Sequence, residues 1–365
     1  MTSNGRSIVV TIQHPANVHF FKNAIGEFEE RGDEVHVFAR EKDIACDLLE
    51  MYDIEYELLA GSATSLYELA SVQARYEYEI LKRVRQRRPD VLLAVSEPAI
   101  THASTCFDCR SILFTDTEHA TIQNYLAYPF SDIICTPESY WDDLGPNQVR
   151  YPGYHQLAYL HPNRFSPTPD VLDRIDADED DRLVVLRLVS WNAAHDVGQK
   201  GLDHVETVVD GLERAGARVL ISAEDELPPS LEDRRIDLPV HMILDLLSYA
   251  DLFIGESGSM AIESAVLGTP TIYVSSLSAG VLEELEERYG LLFSHEQSPS
   301  PQQLLEEATA VLDRERSVWE TRRQHLLDNT VDTTEFMLEI VDRATAETDA
   351  ATGPLRKTVD RVIQR

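Results

Sequence analysis

Residues 251–270, DLFIGESGSMAIESAVLGTP, run from an apolar strand through a turn of small residues into a helix. Gly255, Ser257, Gly258 and Ser259 form the turn, Gly268 and Pro270 stop the helix, and Thr271–Val274 reads as the next strand. Such a unit belongs in a parallel sheet with helices packed on both faces. A glycine-rich turn at a helix start also leaves backbone N–H groups pointing outward at the positive end of the helix dipole, a place suited to a diphosphate. One turn further on, Glu263 can face the same crevice and accept hydrogen bonds from ribose hydroxyls. The same glycines would also let the helix pack closely on the sheet with no ligand present.

The rest of the chain repeats this rhythm. Ser7–Ile12, 34–39, Val91–Val95, 111–114 and 132–135 read as strands, separated by helices near 19–31, 46–52 and Leu66–Arg87. Prolines 152, 162, 167 and 169 and the acidic patch 176–181 mark an irregular connector. A second series follows, with strands at 183–189, 218–222, 251–254 and Thr271–Val274 and helices at 201–215, 242–250, 302–327 and 333–344. The expected fold is α/β, two doubly wound (Rossmann-like) parallel-sheet domains facing a cleft: 1–165, 166–345 and a polar tail 346–365. Ligands are expected at the carboxyl ends of the strands.

Charge narrows the partners. The net charge is −32, with only five lysines (Lys22, Lys42, Lys82, Lys200 and Lys357), in a chain that is 43% hydrophobic. Acidic residues are spread throughout, which fits solubility in molar salt or an acidic surface for a basic partner. With no basic stripe, nucleic acid is not an expected partner. No apolar run reaches membrane-spanning length and no signal peptide opens the chain, so a cytoplasmic location is expected, compatible with peripheral membrane contact. Oligomeric state is left open. Cys46, Cys106, Cys109 and Cys135 do not suggest a disulfide framework; Cys106 and Cys109 form a CxxC that reads as buried thiols on a helix, with a redox or metal role as the alternative.

The element GESGSM…E…LGTP resembles the corresponding loop of the GT-B glycosyltransferase and UDP-sugar 2-epimerase superfamily. There the loop holds the diphosphate, and a glutamate at the offset of Glu263 from Gly268 binds the ribose. A closer resemblance is to domain of unknown function 354, carried by NVHFFK at 17–22, FTDTEHA at 114–120, Gln123–Asn124, and YHQLAYLHP at 154–162. With the 251–270 element these segments span roughly the first 270 residues.

Three loops carry candidate chemistry. In 14–19, His19 is a candidate general base with an ordinary pKa near neutrality, and Asn17 orients the sugar or caps the helix; the superfamily's peptidoglycan transferases have a histidine near this place. In 115–124, Asp116, Glu118 and His119 cluster just past a buried strand, a costly place for polar groups unless a ligand, a network or a helix cap uses them. Glu118 resembles a catalytic glutamate of the epimerases and Glu97 falls where they place an aspartate; their second glutamate has no counterpart near Gln123–Asn124. In 187–200, Arg187, Ser190, His195 and Lys200 can reach a diphosphate, His195 matching an epimerase histidine. Trp141 and Trp191 lie near these loops, as stacking platforms or as core.

The resemblance implies a metal-independent GT-B glycosyltransferase that moves a sugar from a nucleotide-diphosphate donor, with UDP as the expected carrier, to a glycan or lipid-linked acceptor. The donor is a substrate and no cofactor is expected. A UDP-sugar 2-epimerase is the alternative on the same fold, and a non-catalytic nucleotide-sugar-binding protein is a second.

Overall fold

The computed structural model describes residues 5–349 apart from 43, 62–65, 120, 179, 190–201 and 203. It divides into two compact units: one takes in residues up to Arg164 and again from Thr330, the other is Phe165–Asn329.

In the first unit the chain runs β1 Ser7–Ile12, α1 Pro15–Glu30, β2 Glu34–Arg40, α2 Ala45–Met51, β3 Tyr56–Ala60, α3 Leu66–Arg87, β4 Val91–Val95, α4 Pro98–Cys106, β5 Arg110–Phe114, α5 Thr121–Ala127, β6 Ile133–Pro137, β7 Gln148–Tyr151 and α6 Leu157–Leu160. Among the described residues the sheet has seven strands in the order β3-β2-β1-β4-β5-β6-β7, all parallel. The order reverses between β1 and β4, which makes their carboxyl ends the switch point where such sheets take ligands. Val91–Ala94 and Ile112–Phe114 are fully buried because helices cover both faces.

The second unit contains α7 Asp170–Arg174, β8 Leu183–Leu188, α8 Val205–Arg214, β9 Arg218–Ala223, α9 Ile243–Tyr249, β10 Leu252–Gly255, α10 Gly258–Leu267, β11 Thr271–Val274, α11 Gly280–Glu287, β12 Leu292–His295, α12 Pro301–Leu312 and α13 Arg316–Asp328. Its five parallel strands lie in the order β12-β11-β10-β8-β9, with the switch point between β8 and β10.

Two details depart from the sequence reading. The stretch 302–327 is two helices, divided at Asp313–Glu315. The last helix, α14 Thr333–Asp349, belongs to the first unit rather than the second. The hydroxyls of Thr333 and Thr334 donate to the carbonyls of Tyr154 and Ala158 at 2.8 and 2.7 Å. Asp332 caps the helix through the N–H of Thr334 (2.9 Å) while pairing with Arg164 (2.6 Å), and Phe336 stacks on Tyr151 at 4.6 Å. The tail 346–365 enters the structure only as the end of α14; residues 350–365 lie outside the described ones.

Candidate functional site

In the first unit, three successive loops are tied together at the carboxyl ends of the strands. Ser96, just past β4, takes a left-handed backbone (φ 46°), a strained conformation for a residue with a side chain. Its N–H bonds the Phe114 carbonyl at 3.0 Å and its hydroxyl donates to Thr115 Oγ1 at 2.9 Å. The Tyr128 hydroxyl reaches the same Thr115 oxygen at 3.2 Å and stands 3.0 Å from the Tyr140 hydroxyl. Next along the chain, the Trp141 N–H donates to Glu118 Oε1 at 3.3 Å. The loops after β4, β5 and β6 are thereby held as one assembly.

Three carboxylates sit on it. Glu97 follows Ser96 and is 2% exposed, and its Oε2 accepts from the Thr11 hydroxyl at the end of β1. Burial pushes this carboxyl up to about 7, against the hydrogen bond from Thr11, which favours the charged form. Asp116 Oδ2 lies 3.2 Å from His155 Nδ1, and Asp116 Oδ1 accepts from the Thr117 hydroxyl at 3.0 Å. Glu118 is buried, while His119 beside it is exposed.

His155 was not singled out from sequence, although the segment 154–162 was. It is buried against Phe20, ring centroids 4.4 Å apart. Burial lowers its pKa while Asp116 opposes the change, so the imidazole is neutral at pH 7. The contact with Asp116 puts the ring proton on Nδ1 and leaves Nε2 buried without a hydrogen-bond partner.

His19 departs from the expectation of a base poised near neutrality. It lies on α1 among Tyr52, Tyr159 and Lys22; the Tyr52 hydroxyl is 3.4 Å from Nδ1 and the Tyr159 ring 5.3 Å away. Burial, with the Lys22 charge adding to it, lowers its pKa to about 4. Asn17 is not the residue that caps α1. His14 is, its Nδ1 accepting from the Ala16 N–H at 3.2 Å, while Asn17 Oδ1 accepts from the Gln13 N–H and braces the loop. The CxxC thiols are not a buried pair either. Cys106 is exposed at the end of α4, and Cys109 lies beyond the helix, its thiol pushed up to about 12 by burial and by Asp132 and Asp108.

In the second unit the strand–turn–helix forms as the sequence predicts. Ser257 caps α10 by accepting from the Met260 N–H at 3.5 Å, and Gly258 and Ser259 open the helix, where backbone N–H groups have no intrahelical acceptor. Ser259 is exposed and Glu263 half-buried, one turn further on. Gly255 is required by close approach: a Cβ there would come within 2.7 Å of Phe253 and 3.0 Å of the Arg187 carbonyl oxygen.

Arg187 is engaged inside the protein. Its Nη1 donates to Ser222 at 2.9 Å and its Nη2 pairs with Glu224 at 2.5 Å, so the expected diphosphate contact competes with an existing ion pair. Ser190, His195, Trp191 and Lys200 lie outside the described residues. Glu256, which sequence reasoning passed over as part of the turn, is 6% exposed and accepts from the N–H groups of Val189 (2.8 Å) and Leu202. It ties the backbone on either side of 190–201 to the start of α10.

Residues 7–282 match the model of a family described as a protein of unknown function, DUF354. The chain belongs to that family. Another protein similar to this DUF354 chain is the uncharacterised MJ0665 of Methanocaldococcus jannaschii, 23% identical over 275 residues, covering 72% of this chain and 80% of that one. Two solved structures show the shared fold. The UDP-GlcNAc 2-epimerase of Neisseria meningitidis bound to UDP-GlcNAc has a TM-score of 0.66 at 12% identity, covering 93% of this chain and all (100%) of that one. The glycosyltransferase SnogD of Streptomyces nogalater has a TM-score of 0.61 at 15% identity, covering 94% and 100%. The DUF354 chain therefore has the two-domain parallel-sheet architecture common to GT-B glycosyltransferases and UDP-GlcNAc 2-epimerases.

Proposed function

We propose that this protein is a glycosyltransferase acting on a nucleoside-diphosphate sugar, with uridine as the first base to test. The observation that carries the reading is the turn at Ser257, Gly258 and Ser259 opening α10, with Glu263 one turn on, in a chain whose other unit gathers acidic groups just past the carboxyl ends of β4 and β5. The second unit holds the donor: the N-terminal N–H groups of α10 take the diphosphate and Glu263 the ribose. The first unit supplies the base.

His19 is packed among tyrosines on α1, and Asp116, oriented by His155 and Thr117, takes that role. The acceptor hydroxyl attacks the anomeric carbon and its proton passes to Asp116. The bond from that carbon to the diphosphate oxygen breaks, and the nucleoside diphosphate leaves with the electron pair. The reading is metal-independent: the dipole and N–H groups of α10 stabilise the leaving group's charge. The acceptor belongs to glycan or cell-surface polymer synthesis in a salt-adapted cytoplasm.

A 2-epimerase is the second reading, favoured by Glu97, whose carboxyl near 7 suits proton transfer at neutral pH. Against it, the side chain is buried on Thr11, and the Asn124 amide, where a second glutamate would be needed, donates to the Thr117 carbonyl at 3.0 Å. Proton NMR of the protein with a panel of nucleotide sugars and no acceptor, in potassium chloride, separates the readings. Binding that needs Glu263, with the sugar intact or slowly hydrolysed, is the result expected of a transferase. A new sugar stereoisomer that disappears in Glu118→Ala makes the protein an epimerase. Binding with no turnover on any acceptor tried leaves a binding protein.

A further inference from the structure

The second unit contains a cavity of about 270 Å³ at the opposite end of its sheet from the Ser257 turn. Asp251, which precedes β10, and Thr269 and Pro270, which precede β11, place it at the amino ends of the strands. Leu267 and Gly268 bring the end of α10 to its wall, so the length of that helix, about 15 Å, separates it from the candidate donor loop.

Its charge runs against that of the molecule. In a chain of net charge −32, three arginines, Arg314, Arg316 and Arg323, line this one cavity, against the carboxylates Asp251 and Glu320. Arg323 is committed to the fold: its Nε donates to the Val266 carbonyl at 3.3 Å and its stem packs over Gly268. Asp251 is held by the Leu183 N–H at 2.8 Å. Arg314 and Arg322 crowd Trp319, 5.5 and 4.9 Å from its ring centroid. Among the described residues, neither Arg314 nor Arg316 has a carboxylate within ion-pair distance, although both are exposed in a chain rich in acids. The first turn of α13, where Arg316 sits, is moreover the end of a helix at which cations are disfavoured. Burial lowers the pKa of Arg323 and Arg322, and the Arg314 charge lowers Arg322 further. Arg314 and Arg316 are hydrated at the mouth, Arg316 also facing the charge of Asp251, while burial disfavours the charged form of Arg323 in the wall; an anion reaching all three would exchange water for charge-assisted hydrogen bonds beside the apolar Leu267, Leu312 and Trp319.

We propose that this cavity is a binding site for a small multivalent anion of the phosphate class, held by Arg314 and Arg316 at its mouth and Arg323 in its wall. The volume is on the order of nine waters, enough for pyrophosphate or a small phosphate ester. The site is independent of the proposed donor loop and does not rest on the transferase reading.

Calorimetric titration of the full chain with inorganic pyrophosphate, in three proteins, tests this. Wild type should bind it saturably. The double variant Arg314→Ser/Arg316→Ser, in exposed positions that leave the fold intact by circular dichroism, should weaken that binding at least about tenfold. Ser257→Asp with Glu263→Ala, in which the N-cap carboxylate occupies the N–H groups proposed for the diphosphate, should leave it unchanged. Absence of saturable binding in wild type overturns the proposal. So does binding that survives the arginine changes, or that is lost with the Ser257 and Glu263 changes instead.

Discussion

Burial moves Glu97 and His19 in opposite senses, the acid up to about 7 and the base down to about 4. For Glu97 this has a consequence for stability. Its folded value lies above the unfolded 4.5, so the folded protein holds the proton more tightly. The contribution is fully present below about 4.5 and is lost as pH rises through about 7, amounting to about 3 kcal/mol as an upper figure. Glu97→Gln, which keeps an acceptor for Thr11, should remove that fall. Denaturant midpoints of the two proteins between these pH values check it; parallel curves mean that Glu97 stays charged. His155 was invisible as a functional residue, since only the fold brings it from the segment 154–162 to Asp116. Asp116→Asn should lower turnover by about 10²–10⁴ while leaving donor affinity near wild type, as single-turnover and binding measurements would show. A comparable loss in His19→Ala alone would return the base to α1.

At the scale of elements, legibility followed position in the sheet. Central strands such as β1, β4 and β10 are covered on both faces and show as continuous apolar runs. Three edge strands (β3, YELLA; β7, QVRY; β12, LFSH) are only partly buried, mix polar with apolar residues, and escaped the sequence reading. The break between α12 and α13 falls in Asp-Arg-Glu, with neither glycine nor proline to announce it. Glycines are equally silent about their surroundings until atoms are placed. Gly255→Ala should destabilise by about 1–3 kcal/mol, because the new methyl meets the Arg187 backbone as well as Phe253. Gly26→Ala, inside α1 with nothing within 4 Å of the added carbon, should stabilise by about 0.5–1 kcal/mol. Urea unfolding of the pair gives opposite shifts if packing, rather than glycine content, governs both sites.

For the molecule as a whole, the sequence carried the βαβ rhythm and the charge, but not the return of α14 to the first unit. That return depends on single hydrogen bonds from Thr333 and Thr334 to carbonyls about 180 positions earlier, which no local pattern announces. The charge makes its own prediction. A net −32 on a folded chain repels itself, and unfolding relieves the repulsion by spreading the carboxylates apart. Salt shortens the reach of that repulsion from about 30 Å at 0.01 M to about 3 Å at 1 M. Ion pairs such as Arg6–Asp33 at 2.6 Å and Arg164–Asp332 are weakened by the same screening, but these two are partly shielded from solvent, and the acids exceed the bases by 32. The unfolding midpoint should therefore rise steadily with potassium chloride across that range, and most steeply at the low end, where the screening length changes most. Sucrose strengthens burial without screening charge and should not reproduce the low-salt gain. A midpoint indifferent to potassium chloride, or matched by sucrose, would show that the acidic surface is tolerated for solubility and is no adaptation of the fold to salt.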